Sequence, residues 1–328
     1  MRTENDLNIK TNSLSDFIVL IRGANERTEE LCKKLIVDQG VNEDNVRLIR
    51  ESPFSKALLK TFEIGIEKDK KWTFCVDADV LLRPGSIHEM VRLADSQHEK
   101  VCQVQGYMMD KFFGGVRKGG VHLYRTSLLD KVIKHVPVEG TAIRPESYAL
   151  QKMSDNGYPT SVVPYVVGLH DFEQYNFDIY RKAFVQAEKH QSRAELFIKL
   201  WKKRADSDFD YKVALRGFSD SVYNTQQIFI DNKQPLYLEK FNAAGIKEKQ
   251  VLVTSNFTLG KIESIISYWI YPEIYQVYFP YRDGLDLEMK GNWKKVKRNI
   301  KEKGYYKTGI LVVSEILMKM GKKLRKHM

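Results

Sequence analysis

The stretch WTFCVDADVLL, residues 72–82, decides the fold and the chemistry that the sequence predicts. Its first five residues are apolar, aromatic or β-branched, which predicts a buried strand. Because side chains alternate across a strand, Asp77 and Asp79 point to the same side. Two carboxylates on one side repel each other and lose hydration unless a cation or another partner lies beside them. The pattern therefore predicts a site for Mg²⁺ or Mn²⁺, which bind carboxylate oxygens together with phosphate.

A plain turn is the alternative explanation of this stretch. Aspartate is a common turn residue, and a motif as short as D-x-D matches often by chance. The buried strand before Asp77, and Arg83, Pro84 and Gly85 after the two acids, favour the metal site.

Length and composition indicate a soluble globular protein. The chain has 328 residues, of which 43% are hydrophobic and 29% charged, so it can bury the core of one or two domains. Cys32, Cys75 and Cys102 are scattered, which argues against a disulfide framework or a zinc site and suits a reducing cytoplasm. The N-terminus lacks the apolar core of a signal peptide, and no apolar run reaches the roughly 18 residues of a membrane-spanning helix. We therefore expect a cytoplasmic protein.

Strands and helices alternate along the first half of the chain. The predicted strands are residues 17–21, 46–49, 72–76, 101–107 and 161–169, and helices are predicted over 26–39, from 52–53 onward, over 86–96 and over 127–135. Ser86 and Glu89 have the spacing of a capping box for the third helix. This order predicts a parallel sheet covered by helices, with ligands bound beyond the carboxyl ends of its strands. Arg22, Asp77 and Asp79 all lie at such ends.

The segment FFGGVRKGG, residues 112–120, predicts a glycine-rich loop. It matches neither the dinucleotide-binding fingerprint nor the P-loop. Two explanations stay open for it: a plain surface loop, or a flap that closes over substrate.

The second half of the chain is mainly helical in pattern. Helices are predicted over residues 178–204, 209–229, 261–269 and 293–300, and strand signals become rare after about residue 205 apart from 251–253. We therefore predict an α/β domain over residues 1–204 and a mainly helical region over residues 205–328.

The end of the chain carries most of its positive charge. From Gly291 to Met328 there are twelve Lys or Arg and two Glu, so this segment accounts for +10 of the net charge of +11. The first 290 residues are therefore nearly neutral, which argues against a nucleic-acid binder. From Ile310 to Leu324 the apolar residues recur every three or four positions, which predicts a basic amphipathic helix. Residues 305–328 would suit an anionic membrane surface. Packing on the helical region or self-association through the apolar stripe are the alternatives.

Five segments carry a resemblance to a known family. They are IVLIR with Glu26 and Arg27 (18–27), PFSKA (53–57), the D-x-D region (72–84), RPE (144–146) and VGLHD (167–171). In order and spacing they resemble the catalytic domain of GT-A glycosyltransferases, especially the family-2-like bacterial enzymes that build surface polysaccharides. The resemblance covers roughly residues 15–200 and implies a Rossmann-like nucleotide-diphospho-sugar transferase domain.

The resemblance also implies roles for the acids and the histidine. Asp79 would bind the metal, and Asp77 would contact the ribose or a metal-bound water, or be a ligand as well. His170 would complete the coordination. Asp171 would orient His170 or be the ligand itself. Arg22, Arg27 and Lys56 would bind the nucleotide and its phosphates.

An inverting transferase needs a base that takes the proton from the acceptor hydroxyl. By its position in the order of motifs, Glu146 resembles that base. The family usually has an acidic pair at this place, whereas this chain has one acid, so a salt bridge from Glu146 to Arg144 or another basic partner is the alternative. Asp110 and Asp171 are fallback candidates for the base.

The predicted function is a metal-dependent glycosyltransferase of the hexosyltransferase type. It would move a sugar from a nucleotide donor, in the first place a UDP-sugar, to a glycan or lipid-linked glycan acceptor in cell-surface polysaccharide biosynthesis, with Mn²⁺ or Mg²⁺ as cofactor. It would be cytoplasmic, peripheral to the membrane, and open to homo-oligomer formation, with no nucleic-acid partner. The alternatives are a sugar-nucleotide nucleotidyltransferase and a non-catalytic scaffold of the same fold anchored by its basic tail.

Overall fold

The computed structural model describes residues 16–142, 144–226, 228 and 234–269. Its strands form one eight-stranded sheet: β1 (Phe17–Arg22), β2 (Val46–Ile49), β3 (Trp72–Asp77), β4 (Val80–Leu82), β5 (Gln103–Asp110), β6 (Gly115–Lys118), β7 (Val121–Arg125) and β8 (Thr160–His170). The α-helices are α1 (Glu29–Val37), α2 (Phe54–Lys68), α3 (Ser86–Asp95), α4 (Leu129–Ile133), α5 (Pro145–Asp155), α6 (Asn176–Lys189), α7 (Ala194–Arg204), α8 (Phe209–Val222), α9 (Pro235–Ala243) and α10 (Leu259–Trp269).

The sheet has the strand order β2-β1-β3-β7-β5-β8-β4, and β6 pairs with β5 outside this path. Pairing is parallel between β1 and its neighbours β2 and β3, and between β5 and β8; the other pairs are antiparallel. The prediction of an α/β fold with a helical C-terminal region is confirmed. The prediction of a parallel sheet is wrong for β4, β6 and β7, which run antiparallel to the strands they pair with. For β5 and β6 the reason is local, because the turn between them is too short for the crossover that a parallel pair needs.

Burial on both faces explains the continuous apolar strands. All six residues of β1 are buried, and so are the first five of β3. On one face Val19 and Phe74 pack in a core that also holds Met90 of α3, while on the other face Cys75 packs with Phe62 of α2. Both faces are covered by helices, as the sequence predicts for strands without polar alternation.

Two local predictions need correction. Residues 112–120 are not a single loop, since 115–118 form β6, which pairs antiparallel with β5 through a turn at Gly114 (φ +68°). The capping box of α3 is absent: the N-cap is Gly85, in the left-handed region at φ +71°, and no side chain caps the helix. Gly85 takes this conformation at little cost because it has no Cβ, and Ser86 is instead buried in the first turn.

A second apolar core lies among the helices that follow β8. Phe184 of α6, Trp201 of α7 and Phe218 of α8 belong to it, together with Tyr237 of α9. Phe112, from the turn after β5, joins this cluster, and Trp201 Nε1 donates a hydrogen bond to its carbonyl oxygen over 2.7 Å. The β5–β6 hairpin is therefore attached to the helical layer. The predicted boundary near residue 205 stays a prediction.

No helix in the described ranges is long and apolar enough to cross a membrane. The basic amphipathic helix predicted from Ile310, the surface predicted over residues 305–328 and the helix predicted over 293–300 lie outside the described residues.

The pairing of β4 with β8 brings His170, at the end of β8, next to Asp79, the residue before β4. In this register Leu82 lies opposite Gly168 and Val80 opposite His170. A Cβ on Gly168 would lie 2.4 Å from the carbonyl oxygen of Leu81. Only glycine permits this approach of the two backbones.

We predict that Gly168→Ala destabilises the protein by about 1–3 kcal/mol, because the added methyl forces β4 away from β8. Urea unfolding followed by tryptophan fluorescence measures the change in the free energy of unfolding. Gly260→Ala is the matched control, since a Cβ at Gly260 would meet nothing closer than 3.9 Å and alanine favours the helix. Equal stability of Gly168→Ala and the wild type would contradict the close approach.

Candidate active site

The candidate site lies at the edge of the sheet where β1, β3, β5 and β8 end. Arg22 ends β1 and Asp77 ends β3, and the two residues are paired in the parallel register. Asp110, at the end of β5, is paired with His170 at the end of β8. The antiparallel strand β4 begins opposite His170, which brings the preceding residue, Asp79, to the same edge.

Arg22 links two carboxylates inside the protein. Its Nη2 lies 2.7 Å from Asp77 Oδ1, and its Nη1 lies 2.8 Å from Glu146 Oε1. Although burial opposes the shift, Asp77 and Glu146 raise the pKa of Arg22, so the guanidinium stays charged. A salt bridge, the alternative predicted for Glu146, is present in the structure, with Arg22 and not Arg144 as the partner.

The Glu146 carboxylate accepts hydrogen bonds from two further side chains. Tyr124 Oη donates to Oε1 over 2.7 Å, and His122 Nε2 lies 3.1 Å from Oε2. Burial lowers the pKa of His122 to about 4, so the ring is neutral and its Nδ1 accepts from Gln103 Nε2 at 2.6 Å. Although burial acts in the opposite direction, Arg22 and His122 lower the pKa of Glu146 to about 2. Glu146 is therefore ionised and fully partnered.

Asp79, His170 and Asp171 form a buried cluster at the same edge of the sheet. Nδ1 of His170 lies 3.0 Å from Asp171 Oδ2, and Nε2 lies 3.5 Å from Asp79 Oδ1. The backbone N–H of Asp171 donates to the carbonyl of Asp79 over 3.2 Å, which ties the end of β8 to the turn before β4. Asp171 has φ +63°, a left-handed conformation that aspartate adopts more readily than most residues.

Lys182 of α6 lies between the two carboxylates of this cluster. Its Nζ is 2.5 Å from Asp79 Oδ2 and 2.5 Å from Asp171 Oδ1. Against the effect of burial, Lys182 and His170 lower the pKa of Asp79. Burial also opposes the shift of His170, but Asp171 and Asp79 raise its pKa to about 10, so the imidazole carries a positive charge.

Asp110 and Arg117 hold the cluster from the β5–β6 hairpin. Asp110 Oδ1 accepts the backbone N–H groups of Phe112 and Phe113 at 2.9 and 2.8 Å, and its Oδ2 contacts Arg117 and lies 2.9 Å from His170 Nδ1. Against the effect of burial, Arg117 and His170 hold the pKa of Asp110 well below its ordinary range. Asp110 is thus a fully partnered anion that fixes the hairpin to the end of β8.

The cluster fits a divalent metal in its donor types and spacing. One ligand atom from each of Asp79, His170 and Asp171 lies within 4.8 Å of the others. Asp79 Oδ1 is buried and has no hydrogen-bond partner within the described ranges. Carboxylate oxygens and the nitrogen of a neutral imidazole suit Mn²⁺, so His170 would lose a proton on binding the metal. A metal held by both carboxylates would displace Lys182. Asp77, predicted as a further ligand, is not in this group and pairs with Arg22 instead.

Arg27 and Lys56 are predicted to bind the nucleotide. Neither forms a hydrogen bond or salt bridge with the acid cluster in the described part of the chain. Arg27 Nη1 lies 2.6 Å from Glu173 Oε2, and its Nε donates to the carbonyl of Gln250 over 2.9 Å. Lys56 is exposed on α2. Of the predicted site residues, the structure brings together Arg22 with Asp77 and Glu146, and Asp79 with His170 and Asp171.

Three residues at the site were not predicted from the sequence. Lys182 follows Asp171 by eleven positions on an amphipathic helix, and Arg117 lies in a segment that reads as a loop, so neither carries a signal of its own. Glu26 belongs to a segment that carries the family resemblance. Burial and Asp79 raise the pKa of Glu26 to about 7.

No protein-family model matches this chain, and no curated protein matches it. Solved structures that align with it include a mannosyltransferase from Pyrobaculum calidifontis in complex with GDP-Man and Mn²⁺ (10% identity, TM-score 0.37, 77% of this chain and 84% of that chain). Another is CMP:2-keto-3-deoxy-manno-octonic acid synthetase complexed with CTP (9%, 0.34, 47% and 91%). A third is a glycosyltransferase involved in glycosylation of the major capsid of PBCV-1 (15%, 0.32, 45% and 82%). At TM-scores below 0.5 these likenesses carry no argument about function.

We predict that Arg22→Met lowers the free energy of unfolding by about 3–5 kcal/mol, because it leaves two carboxylates without their shared cation. The second variant, Glu146→Gln, removes one of these charges, so Arg22→Met/Glu146→Gln should lose less than the sum of the two single losses. Urea unfolding of the four proteins measures this coupling. Arg47→Met, which removes an exposed arginine from β2, is the control. Additive losses would contradict the shared ion pair.

Proposed function

We propose that this protein is a metal-dependent glycosyltransferase that uses a nucleoside-diphosphate sugar. The observation that carries the proposal is the buried cluster of Asp79, His170 and Asp171, in which Asp79 Oδ1 accepts no hydrogen bond from the described residues. The cluster stands at the carboxyl ends of strands in an α/β sheet, which is where such folds bind their ligands. Asp79 also lies in the D-x-D stretch that gives the sequence its resemblance to GT-A glycosyltransferases.

Residues of the site would bind the nucleotide-sugar donor and balance the negative charge of its diphosphate. Asp79, His170 and Asp171 would hold Mn²⁺ or Mg²⁺, which as a Lewis acid stabilises the diphosphate leaving group as the glycosidic bond breaks. Lys182, released from the two carboxylates, would remain in the same pocket as a cation for the phosphate oxygens. Arg22 holds Asp77 at the end of β3, where the carboxylate is 29% exposed and free to accept a hydrogen bond from a ribose hydroxyl.

The base of an inverting reaction has two candidates. Glu146, the residue predicted from the sequence, would have to release Arg22, Tyr124 or His122 before it could accept a proton, and a pKa of about 2 makes it a weak base. Glu26 is a second candidate, because it lies beside Asp79 and burial raises its pKa toward the range in which a carboxylate takes up a proton at neutral pH. Asp110 and Asp171 are each held by cations and by hydrogen bonds.

The finer parts of the proposal rest on the sequence resemblance. They are a UDP-sugar as donor, a glycan or lipid-linked glycan as acceptor, and a place in surface-polysaccharide biosynthesis at the cytoplasmic face of the membrane. Membrane contact is proposed for residues 305–328, which the structure does not describe. A nucleotidyltransferase would share the acid cluster, and a non-catalytic scaffold would need none of it.

We predict that Asp79→Asn lowers metal-dependent turnover by at least about 100-fold, because it removes one charge and one ligand of the metal. The assay measures hydrolysis of UDP-, GDP-, CMP- and dTDP-sugars with and without Mn²⁺. Asp130→Asn, which changes an exposed aspartate on α4, should behave as the wild type. Release of pyrophosphate from a nucleoside triphosphate and a sugar phosphate would indicate the nucleotidyltransferase instead. No metal-dependent binding of any donor would refute the proposal.

Lys182 provides a test that needs no substrate. We predict that Lys182→Met binds Mn²⁺ about tenfold more tightly than the wild type, because the metal no longer has to displace an ammonium group from both carboxylates. Isothermal titration calorimetry measures the affinity, and Lys212→Met, an exposed lysine of α8, is the matched control. Weaker binding by Lys182→Met would show that Lys182 does not compete with the metal.

A further inference from the structure

A group of basic side chains borders the acid cluster. Arg144 Nη2 donates to His190 Nε2 over 2.9 Å. The His190 ring packs edge-on against the Phe113 ring, with centroids 5.6 Å apart. The guanidinium of Arg117 lies 4.9 Å from the centroid of the Phe113 ring. Arg117 Nη2 lies 3.2 Å from His170 Nδ1. A continuous series of contacts therefore leads from Arg144, just before α5, to the candidate metal site.

One half-buried face of α6 runs from the acid cluster toward His190, at the end of the helix. Lys182, Gln186 and Lys189 are spaced by four and three residues, so they lie on one face of the helix. Lys182 contacts the acid cluster, and Gln186 lines a small cavity with Lys182 and Asp171. Gln186 Oε1 is buried and has no hydrogen-bond partner among the residues described. The helix thus presents polar groups along a path from the acids to Lys189.

Two of these cations lack an acid to balance them. Within the described part of the chain, no salt bridge is formed by Arg144, which is exposed, or by Lys189, which is half-buried. Burial, and then the charges of Arg144 and Arg181, lower the pKa of Lys189 to about 7. Arg117, in contrast, is paired with Asp110. Like charges held together without a counter-ion destabilise a folded protein, and residues under such a cost are concentrated at binding sites.

We propose that Arg117, Arg144, Lys189 and His190 form a phosphate-binding subsite beside the metal cluster. Guanidinium and ammonium groups together suit a phosphate, because they supply charge and several hydrogen-bond donors. His190 accepts from Arg144 at Nε2, so the neutral ring carries its proton on Nδ1 and has that N–H as a further donor. Burial and Arg144 lower the pKa of His190 to about 4, which keeps this ring neutral.

The phosphate has two sources, the donor diphosphate or a phosphorylated acceptor. Its assignment to a transfer substrate rests on the proposed function, whereas the binding of phosphate does not. In the cluster itself three carboxylates, of Asp79, Asp110 and Asp171, already face three cations, of His170, Lys182 and Arg117. The charges of Arg144 and Lys189 are additional to that balance.

The experiment compares the wild type with Arg144→Gln/Lys189→Gln and with a control that removes the same charge elsewhere, Arg47→Gln/Lys100→Gln, both exposed residues. Isothermal titration calorimetry measures inorganic phosphate binding to the free protein and to protein saturated with UDP and Mg²⁺. We expect the site variant to bind phosphate at least about tenfold more weakly, and the control variant to bind as the wild type does.

Competition identifies the source. If phosphate still binds when UDP is present, the subsite serves the acceptor. If UDP displaces phosphate, and UDP itself binds more weakly to the site variant, the subsite serves the donor. Phosphate binding by a wild-type protein that binds no nucleotide donor would support the subsite while the proposed function fails. No phosphate binding to the wild type, or equal binding by the site variant, would overturn the proposal.

Thermal unfolding separates this proposal from a purely structural role. Cations at the C-terminal end of a helix stabilise it through the helix dipole, so a structural Lys189 would make Lys189→Gln less stable. A binding residue held among like charges predicts the opposite, a rise in Tm of about 2–4 °C in the free protein that shrinks when phosphate is present. A fall in Tm for Lys189→Gln would argue against the subsite.

Discussion

Neutralising the carboxylates that end the strands is the constraint on which the rest of this structure depends. Asp77, Asp79, Asp110 and Asp171 meet at one edge of the sheet, and ionised acids in a protein interior are costly without partners. Arg22, on the neighbouring parallel strand, forms a salt bridge with Asp77. Arg117 of the β5–β6 hairpin pairs with Asp110, and Lys182 of α6 pairs with Asp79. The hairpin and the helical layer are therefore held to the sheet by charge as well as by apolar packing.

The same constraint bears on the proposed metal site. Lys182 Nζ lies between Asp79 Oδ2 and Asp171 Oδ1, on two of the three residues that would hold a metal, while Asp79 Oδ1 has no hydrogen-bond partner among the described residues. An ammonium group on a long side chain can leave without disturbing the sheet. Glu146 differs, because Arg22, Tyr124 and His122 hold it from several sides. The structure thus contains one acid centre bridged by a single lysine of a helix and one acid centre held from several sides.

The parts of the site that the sequence could predict are those that follow directly from strand periodicity. Asp77 and Asp79 stand at and just after the end of the buried strand β3, and His170 and Asp171 at and just after the end of β8, so the edge of the sheet gathers them. Lys182, Arg117 and Glu26 could not be found in this way, because their roles depend on which helix or hairpin packs against that edge. For the same reason the sequence could name a salt bridge for Glu146 but not its partner.

The sequence by itself determined the α/β class, the order of most strands and helices, and the acids that the strands would bring to one edge. These follow from local hydrophobic pattern and from the two-residue repeat of a strand. Only the tertiary structure decided that β4, β6 and β7 run antiparallel, that Gly168 lets β4 approach β8, and that Lys182 lies between two carboxylates. These features depend on contacts between residues far apart in the chain, and pairing across such distances leaves no periodic trace in the sequence.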